Sequence, residues 1–421
     1  AAPAATTTAA THTVVSGDRY RAMKPTEQFR HRRAGREAQR RLNALWRQRL
    51  ATTEGCLREK MALFWHGHFV AWTYWSNCTE QYLNTLREHA LGDLGTLLKA
   101  VSRAPAMLAY LNNQMNRKDA PNENFAREVM ELFTLGRGHY TEQDVHEAAR
   151  AFTGWGFELG TAGFVFHEHQ HDFGAKTFRG RTGNFAGDDI LDMLLADRRT
   201  AEFITRKMYR WFVCPEVDED FAARMADRFF TSGYDIADLM RFVLTSEHFR
   251  DAAMHGRRIK SPAELLCGLD KHFALRFERE EDPMFLQRML GQVLLDPPNV
   301  SGWKEGEGWV DSNALMLRLK LPSALLNMGQ LDWEEPGAST GDLDKMAAPD
   351  APLRDAQGRL FRTAPDKAAF LAQLDPAITN EDLFDLLLQV EPSLVLRAGI
   401  GRGPLMERVL EILSSPEYQL C

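Results

Sequence analysis

Three imidazoles alternate in His167-Glu168-His169-Gln170-His171-Asp172. On a strand, residues two apart share a face, so His167, His169 and His171 would point the same way. Such a row can hold zinc or copper, with Asp172 as a fourth ligand or an orienting carboxylate. The plainer reading is a solvated His-rich hairpin. The same stretch continues through Gly174, Lys176, Gly180 and Gly183 to Gly187-Asp188-Asp189. A His-Asp pair followed by Lys in a Gly-rich turn offers a base, a carboxylate and a cation to an anionic or hydroxylated ligand. It lacks the Gly-Lys-Ser/Thr ending of a phosphate-binding loop, which argues against nucleotide binding. The structural counterpart is a loop in which Gly permits positive φ and Asp188 or Asp189 caps the next helix.

A second constellation is Pro121-Asn122-Glu123-Asn124-Phe125-Ala126-Arg127-Glu128-Val129-Met130-Glu131-Leu132. Asn122 and Asn124 suit the first turn of a helix, where their side chains take up free backbone N–H groups. Glu128 and Glu131 then stand at i, i+3, with Cβ atoms about 5–6 Å apart. Neighbouring carboxyls have coupled titrations, and one can keep a proton towards neutral pH. That makes an acid/base pair, with Arg127 and Asn124 placed to bind substrate. The bland alternative is an ion-pair and capping network between helices. A third candidate is His68 in Phe64-Trp65-His66-Gly67-His68-Phe69. Leu57, Met61, Phe64 and His68 form one helical stripe, so His68 is expected to be buried. His66 points elsewhere, and two His at i, i+2 cannot share a metal on a regular helix.

These residues need a scaffold, and the pattern around them is helical. Helices are expected over 79–98, 104–115, 124–135, 141–152, 187–196, 199–213, 218–231, 235–246, 261–275, 283–293, 313–326, 380–390 and 403–413. Asn380 before Glu381 and Asp382 reads as an N-cap. Seven glycines and alternating residues between Gly154 and Gly183 break the helical habit and suit a β-hairpin. The fold class is therefore mainly α: a multi-helix globular domain with a small β-hairpin insertion around 156–183. The expected organisation is an extended arm over 1–35 and a main helical domain over 36–327. A loop or linker follows over 328–366, and C-terminal helices over 367–421 pack on the main domain. The basic run from Arg30 to Arg49 reads as the solvated face of a helix.

Composition narrows the class. The chain has 421 residues, 44% of them apolar and 26% charged, with 51 basic and 58 acidic side chains and a net charge of −7. That excludes disordered and fibrous chains and argues against a nucleic-acid partner. No stretch is long and apolar enough for a membrane span. Cys56, Cys78, Cys214, Cys267 and Cys421 are scattered and odd in number, which excludes a zinc ribbon and leaves one bridge, Cys56–Cys78, open. The start, Ala1-Ala2-Pro3-Ala4 followed by Thr-rich residues, reads as a processed or truncated product.

Five stretches together resemble the bacterial domain of unknown function 1800 family. They are Phe64 to Phe69; Pro121 to Gly136; Tyr140-Thr141-Glu142 with Ala149-Arg150-Ala151-Phe152-Thr153-Gly154-Trp155; His171-Asp172 with Lys176; and Pro297-Pro298-Asn299-Val300-Ser301-Gly302-Trp303. The resemblance implies a mostly helical, exported bacterial protein, periplasmic or secreted. It also implies a partner, an exported protein of the domain of unknown function 1501 family. His171 and Asp172 match the pattern, whereas His167 and His169 lie outside it. The expected function is an extracytoplasmic hydrolase or lyase acting on a polymer or glycan. Glu128, Glu131, His171, Asp172 and His68 would do the chemistry. Asn124, Arg127, Lys176, Trp155 and Trp303 would bind substrate. One alternative is a non-catalytic assembly or binding protein. Another is a metal-binding protein built on the strand from His167 to His171. No cofactor is required, and a divalent zinc or copper ion is compatible.

Overall fold

In a computed structural model, residues 14–15, 17–327, 330–331, 359–360 and 362–421 are described. Helices dominate, with short two-stranded antiparallel sheets between them. The chain divides into two compact units. The first comprises Ala1–Arg258 with Gln292–Lys304, the second Ile259–Gly291 with Glu305–Cys421.

The first unit begins with α1 (Gly17–Ala22) and the long α2 (Pro25–Thr52). Within the expected extended arm over 1–35, residues 17–22 and 25–35 are therefore helical, and residues 1–13 and 16 lie outside the described residues. Pro25 opens α2 at a position where no N–H is needed, and Glu27 returns to the Lys24 N–H at 2.9 Å. Arg30, Arg32, Arg36 and Arg40 lie exposed along α2, the solvated basic face that its sequence implies.

The helices that follow are α3 (Cys56–His68), α4 (Ser76–Glu88), α5 (Leu94–Ser102), α6 (Pro105–Tyr110), α7 (Asn124–Glu128) and α8 (Glu142–Ala151). The expected helix at 79–98 is two helices, because Asp93 caps a new start by accepting the Thr96 N–H. Two hairpins come next: β1 (Trp155–Glu158) with β2 (Gly163–Phe166), and β3 (Lys176–Phe178) with β4 (Arg181–Gly183). Then come α9 (Gly187–Leu195), α10 (Arg198–Phe212), α11 (Glu219–Thr231), α12 (Ile236–Thr245) and α13 (Glu247–Arg250). Thr141, Asp197, Asp218 and Asp235 cap their helices in the same way as Asp93. One apolar core, from Met61 through Phe125 and Phe152 to Val243, runs through these helices.

The second unit holds α14 (Pro262–Phe273), β5 (Arg276–Phe277), α15 (Asp282–Met289), α16 (Ser312–Leu326) and the short strands β6 (Gln330–Leu331), β7 (Arg359–Leu360) and β8 (Thr363–Ala364). It ends with α17 (Lys367–Leu371), α18 (Asn380–Leu387), α19 (Leu394–Gly399) and α20 (Leu405–Leu413), around its own core of Leu265, Leu321, Leu383 and Ile412. Asn380 is the first helical residue of α18. Its cap is Thr379, in a reciprocal box with Asp382. Most of the expected linker at 328–366 lies outside the described residues. Cys56 and Cys78 are not bridged: both thiols are free, and the Cys56 thiol faces the Thr53 carbonyl at 3.2 Å.

Candidate functional site

The loop over residues 292–304 is clamped onto α2 and α3. Asn43 donates to the Leu294 carbonyl at 2.8 Å, and Leu295 N–H donates to His66 Nε2 at 3.1 Å. Gly302 has φ +83°, and a Cβ there would sit 3.1 Å from the Gly67 carbonyl, so only glycine allows the approach. Trp303 packs on the His66 ring at 5.0 Å. His66 is fully buried, and its basicity is pushed down to about 3 by that burial. Nε2 accepts, so Nδ1 carries the proton, and Nδ1 has no partner among the described residues. Leu295 takes φ +67°, a strained conformation for a side chain of this size, immediately before Asp296.

His68 is buried as expected. Its Nε2 faces the Phe133 carbonyl at 3.2 Å and must donate, which leaves Nδ1 bare to accept from Lys207 Nζ at 3.2 Å. Burial first, and Lys207 second, hold it neutral well below the ordinary range. Both nitrogens are engaged.

The Phe133 carbonyl belongs to a π-helical turn, Val129–Thr134, that follows α7 directly. Such wide turns recur at functional positions. Thr134 Oγ1 donates to the Val129 carbonyl at 2.7 Å, and Gly136, at φ +84°, ends the turn against the Phe203 ring. The two glutamates therefore do not occupy one regular helix face. Glu131 accepts from Arg137 at 2.8 and 3.0 Å and from the Tyr140 hydroxyl, and these bonds hold it below the ordinary carboxyl range. Glu128 makes no hydrogen bond or ion pair among the described residues. It is half-buried, and desolvation first, then the Glu131 charge, raises its pKa above 4.5. The Tyr110 phenol at the end of α6 is also raised, by burial and by the charges of Asp296 and Glu128.

Arg127 is closed off. It clasps Glu142 at 2.6 and 2.8 Å and reaches Glu123 at 3.4 Å. Asn124 donates to the Leu111 carbonyl at 3.2 Å, and its N–H is taken by Asn122 Oδ1 at 3.0 Å.

A second polar group is built on the end of α8 and the loop between the hairpins. β2 stops at Phe166 and Glu168–Gln170 forms a 3-10 turn, so the three imidazoles do not share a strand face. The His167 N–H still reaches the Gly154 carbonyl at 2.7 Å, but Gly154 takes φ +81° and the pairing goes no further. Among the described residues no group of three His, Cys, Asp or Glu is placed to hold a metal ion. His167 is half-buried, His169 is exposed and His171 is buried. His171 Nδ1 lies 2.8 Å from the Thr153 carbonyl and 3.2 Å from Thr153 Oγ1. Desolvation lowers its pKa below 6.5.

Asp172 does not orient His171. Its carboxylate accepts from Arg150 Nε at 2.7 Å and from Gly174 N–H at 2.8 Å. Lys176, almost fully buried, donates to the carbonyls of Asp172 at 2.6 Å and Gly174 at 3.0 Å. From α8, Glu147 takes the Thr177 N–H at 2.9 Å and Asp144 the Arg179 N–H at 2.8 Å, which fixes the second hairpin. Trp155 packs in the core against Phe152 at 5.1 Å and Phe164 at 5.4 Å. Its ring is not a free stacking surface.

The sequence-selected residues thus fall into two groups. One is His68, Glu128, Glu131, Arg127 and Asn124; the other is His171, Asp172 and Lys176. No described hydrogen bond or ion pair joins a residue of one group to a residue of the other. Tyr110, Thr153, Lys207 and Asp296 were not singled out in the sequence. Thr153, inside the family stretch Ala149 to Trp155, and Asp296, directly before Pro297-Pro298, carried a signal. A cavity of about 350 Å³ in the second unit, lined by Asn380, Arg402 and Arg408 among others, includes none of the selected residues.

Fold and site together define a helical protein in which family-motif residues form two separate polar groups, and in the first of them Glu128 makes no bond among the described residues. The chain belongs to the family described as Protein of unknown function (DUF1800), whose model matches residues 2–420. No curated protein and no solved structure matches the chain. No helix among the described residues is long and apolar enough to cross a membrane.

Proposed function

We propose that the protein is an exported acid–base enzyme, a hydrolase or lyase of a polymer or glycan, with Glu128 as the proton-carrying group. The observation that carries this reading is the split between two carboxyls on adjoining turns. Tyr140 and Arg137 hold Glu131 below the ordinary carboxyl range, while Glu128, without a bond among the described residues, is raised above it. Neighbouring titratable groups pushed apart by their surroundings are the usual arrangement of an acid and its charged companion. A carboxyl that holds its proton more tightly than its neighbour can give it to a departing oxygen, and the conjugate base can then take a proton from water or carbon. Tyr110, close enough to feel the Glu128 charge, supplies a hydroxyl beside it. The family resemblance supports a periplasmic or secreted location and a partner of the domain of unknown function 1501 family.

A second reading, a non-catalytic assembly protein, is favoured by the closed bonding of His68, Glu131, Arg127, Asp172 and Lys176. The test is Glu128→Gln, compared with wild type by melting temperature and by turnover of a panel of neutral and acidic polysaccharides. Glu128 has no bond to lose, so melting should stay near the wild-type value. Turnover should drop by a factor of about a hundred or more. Full turnover in the folded variant refutes the role of Glu128. Wild-type protein inert on the whole panel moves the account to the assembly reading.

A further inference from the structure

His171 belongs to neither the Glu128 pair nor a metal centre, and its bonding is lopsided. The Thr153 carbonyl can only accept, so His171 Nδ1 must carry the proton and the lone pair lies on Nε2. Thr153 Oγ1 donates to the Arg150 carbonyl at 2.6 Å and accepts the Asp172 N–H at 2.8 Å, so the hydroxyl is locked and the tautomer with it. The residue is 4% exposed, and among the described residues no hydrogen bond reaches Nε2. Two aromatic rings stand edge-on to the imidazole, Phe166 at 5.2 Å and Phe173 at 4.8 Å. Both are exposed, by 44% and 55%, although large apolar side chains are ordinarily covered. The backbone is built for this arrangement. A Cβ on Gly154 would lie 2.7 Å from the His167 carbonyl and 3.3 Å from His171 Cβ. Lys176 donates to the carbonyl of the next residue, Asp172, and Arg150 to its carboxylate.

A rigid, bare imidazole nitrogen accepts one hydrogen bond. Exposed ring faces beside it cover the C–H face of a flat, hydroxyl-bearing ring. We propose that His171, Phe166 and Phe173 form a sugar subsite, in which Nε2 accepts a pyranose hydroxyl and the phenyl rings cover the sugar ring. This deepens the glycan reading above and rests on it for the ligand class, but not on Glu128.

The test is carbethoxylation by diethyl pyrocarbonate, which attacks neutral imidazole nitrogen, mapped by mass spectrometry on the full chain. His171 should label, more slowly than exposed His169, while His68, with both nitrogens bonded, and fully buried His66 stay unlabelled. Cellotetraose, chitotetraose and tetragalacturonic acid are then added in turn. At least one should slow labelling of His171 and not of His169. Phe166→Ala with Phe173→Ala should weaken that protection by roughly tenfold or more. Glu128→Gln should leave it intact, which separates this subsite from the catalytic claim. An unreactive His171 overturns the proposal, as does the absence of protection by all three sugars, or protection unchanged in the double Phe variant.

Discussion

Lowering the pH from 7 to 5 should cost the fold about 2 kcal/mol through His66 alone. His66 has an ordinary pKa of 6.5 when unfolded and about 3 when folded. Its folded value is depressed, so the unfolded chain takes up a proton as pH falls through 6.5 while the folded protein does not. Stability is therefore complete above 6.5 and is lost progressively down to about 3. At pH 5 the gap is 1.5 units, and at about 1.36 kcal/mol per unit this gives about 2 kcal/mol. No solvent discount applies, because the ring is fully buried. His68 and His171 are also depressed and act in the same direction. The contribution of His66 is isolated by His66→Gln, which keeps an acceptor for Leu295 N–H but does not titrate. Urea unfolding at pH 7 and pH 5 measures both proteins. The variant should be weaker at pH 7, yet its loss between the two pH values should be smaller by about 2 kcal/mol. Parallel pH–stability curves would refute the assignment of His66 as a buried neutral ring.

Two further outcomes concern the scaffold. Glu59→Gln should cost about 3–5 kcal/mol, because it removes the charge that pairs with Arg87, itself 1% exposed, at 2.7 and 2.8 Å; thermal unfolding checks it, and a loss under about 1 kcal/mol contradicts the pairing. Gly154→Ala should cost about 2 kcal/mol or more, since alanine must adopt φ +81° and meet the His167 carbonyl; a variant that melts with the wild type contradicts that geometry.

The helices were legible because apolar spacing and caps act locally. Thr141, Asp218 and Asp235 start their helices where the sequence places them. What the sequence hid is long-range or finer than residue type. The π turn at Val129–Thr134 has the same composition as a regular helix, so the face shared by Glu128 and Glu131 was assigned on the wrong period. His66 is buried by a loop 229 positions away, beyond the reach of any local pattern. Alternation in His167, His169 and His171 is a strand signal. A strand, however, needs a neighbour to continue its ladder, and the partner ends where the Gly154 carbonyl takes the His167 N–H. Asp172 was paired with His171 by adjacency, while its bonding partner, Arg150, lies 22 positions away. The concentration of polar residues in the family motifs was legible. Which of them stay open was not, because that depends on partners the chain brings back from afar.

The central claim is that Glu128 holds its proton more tightly than Glu131 does. Carbon-13 NMR titration of the glutamate carboxyls, assigned with Glu128→Gln and Glu131→Gln, measures it directly. The account predicts that Glu128 titrates above 4.5 and Glu131 below it, and that Glu128 moves down once the Glu131 charge is removed. Glu128 titrating at or below 4.5, or indifferent to Glu131→Gln, would contradict it.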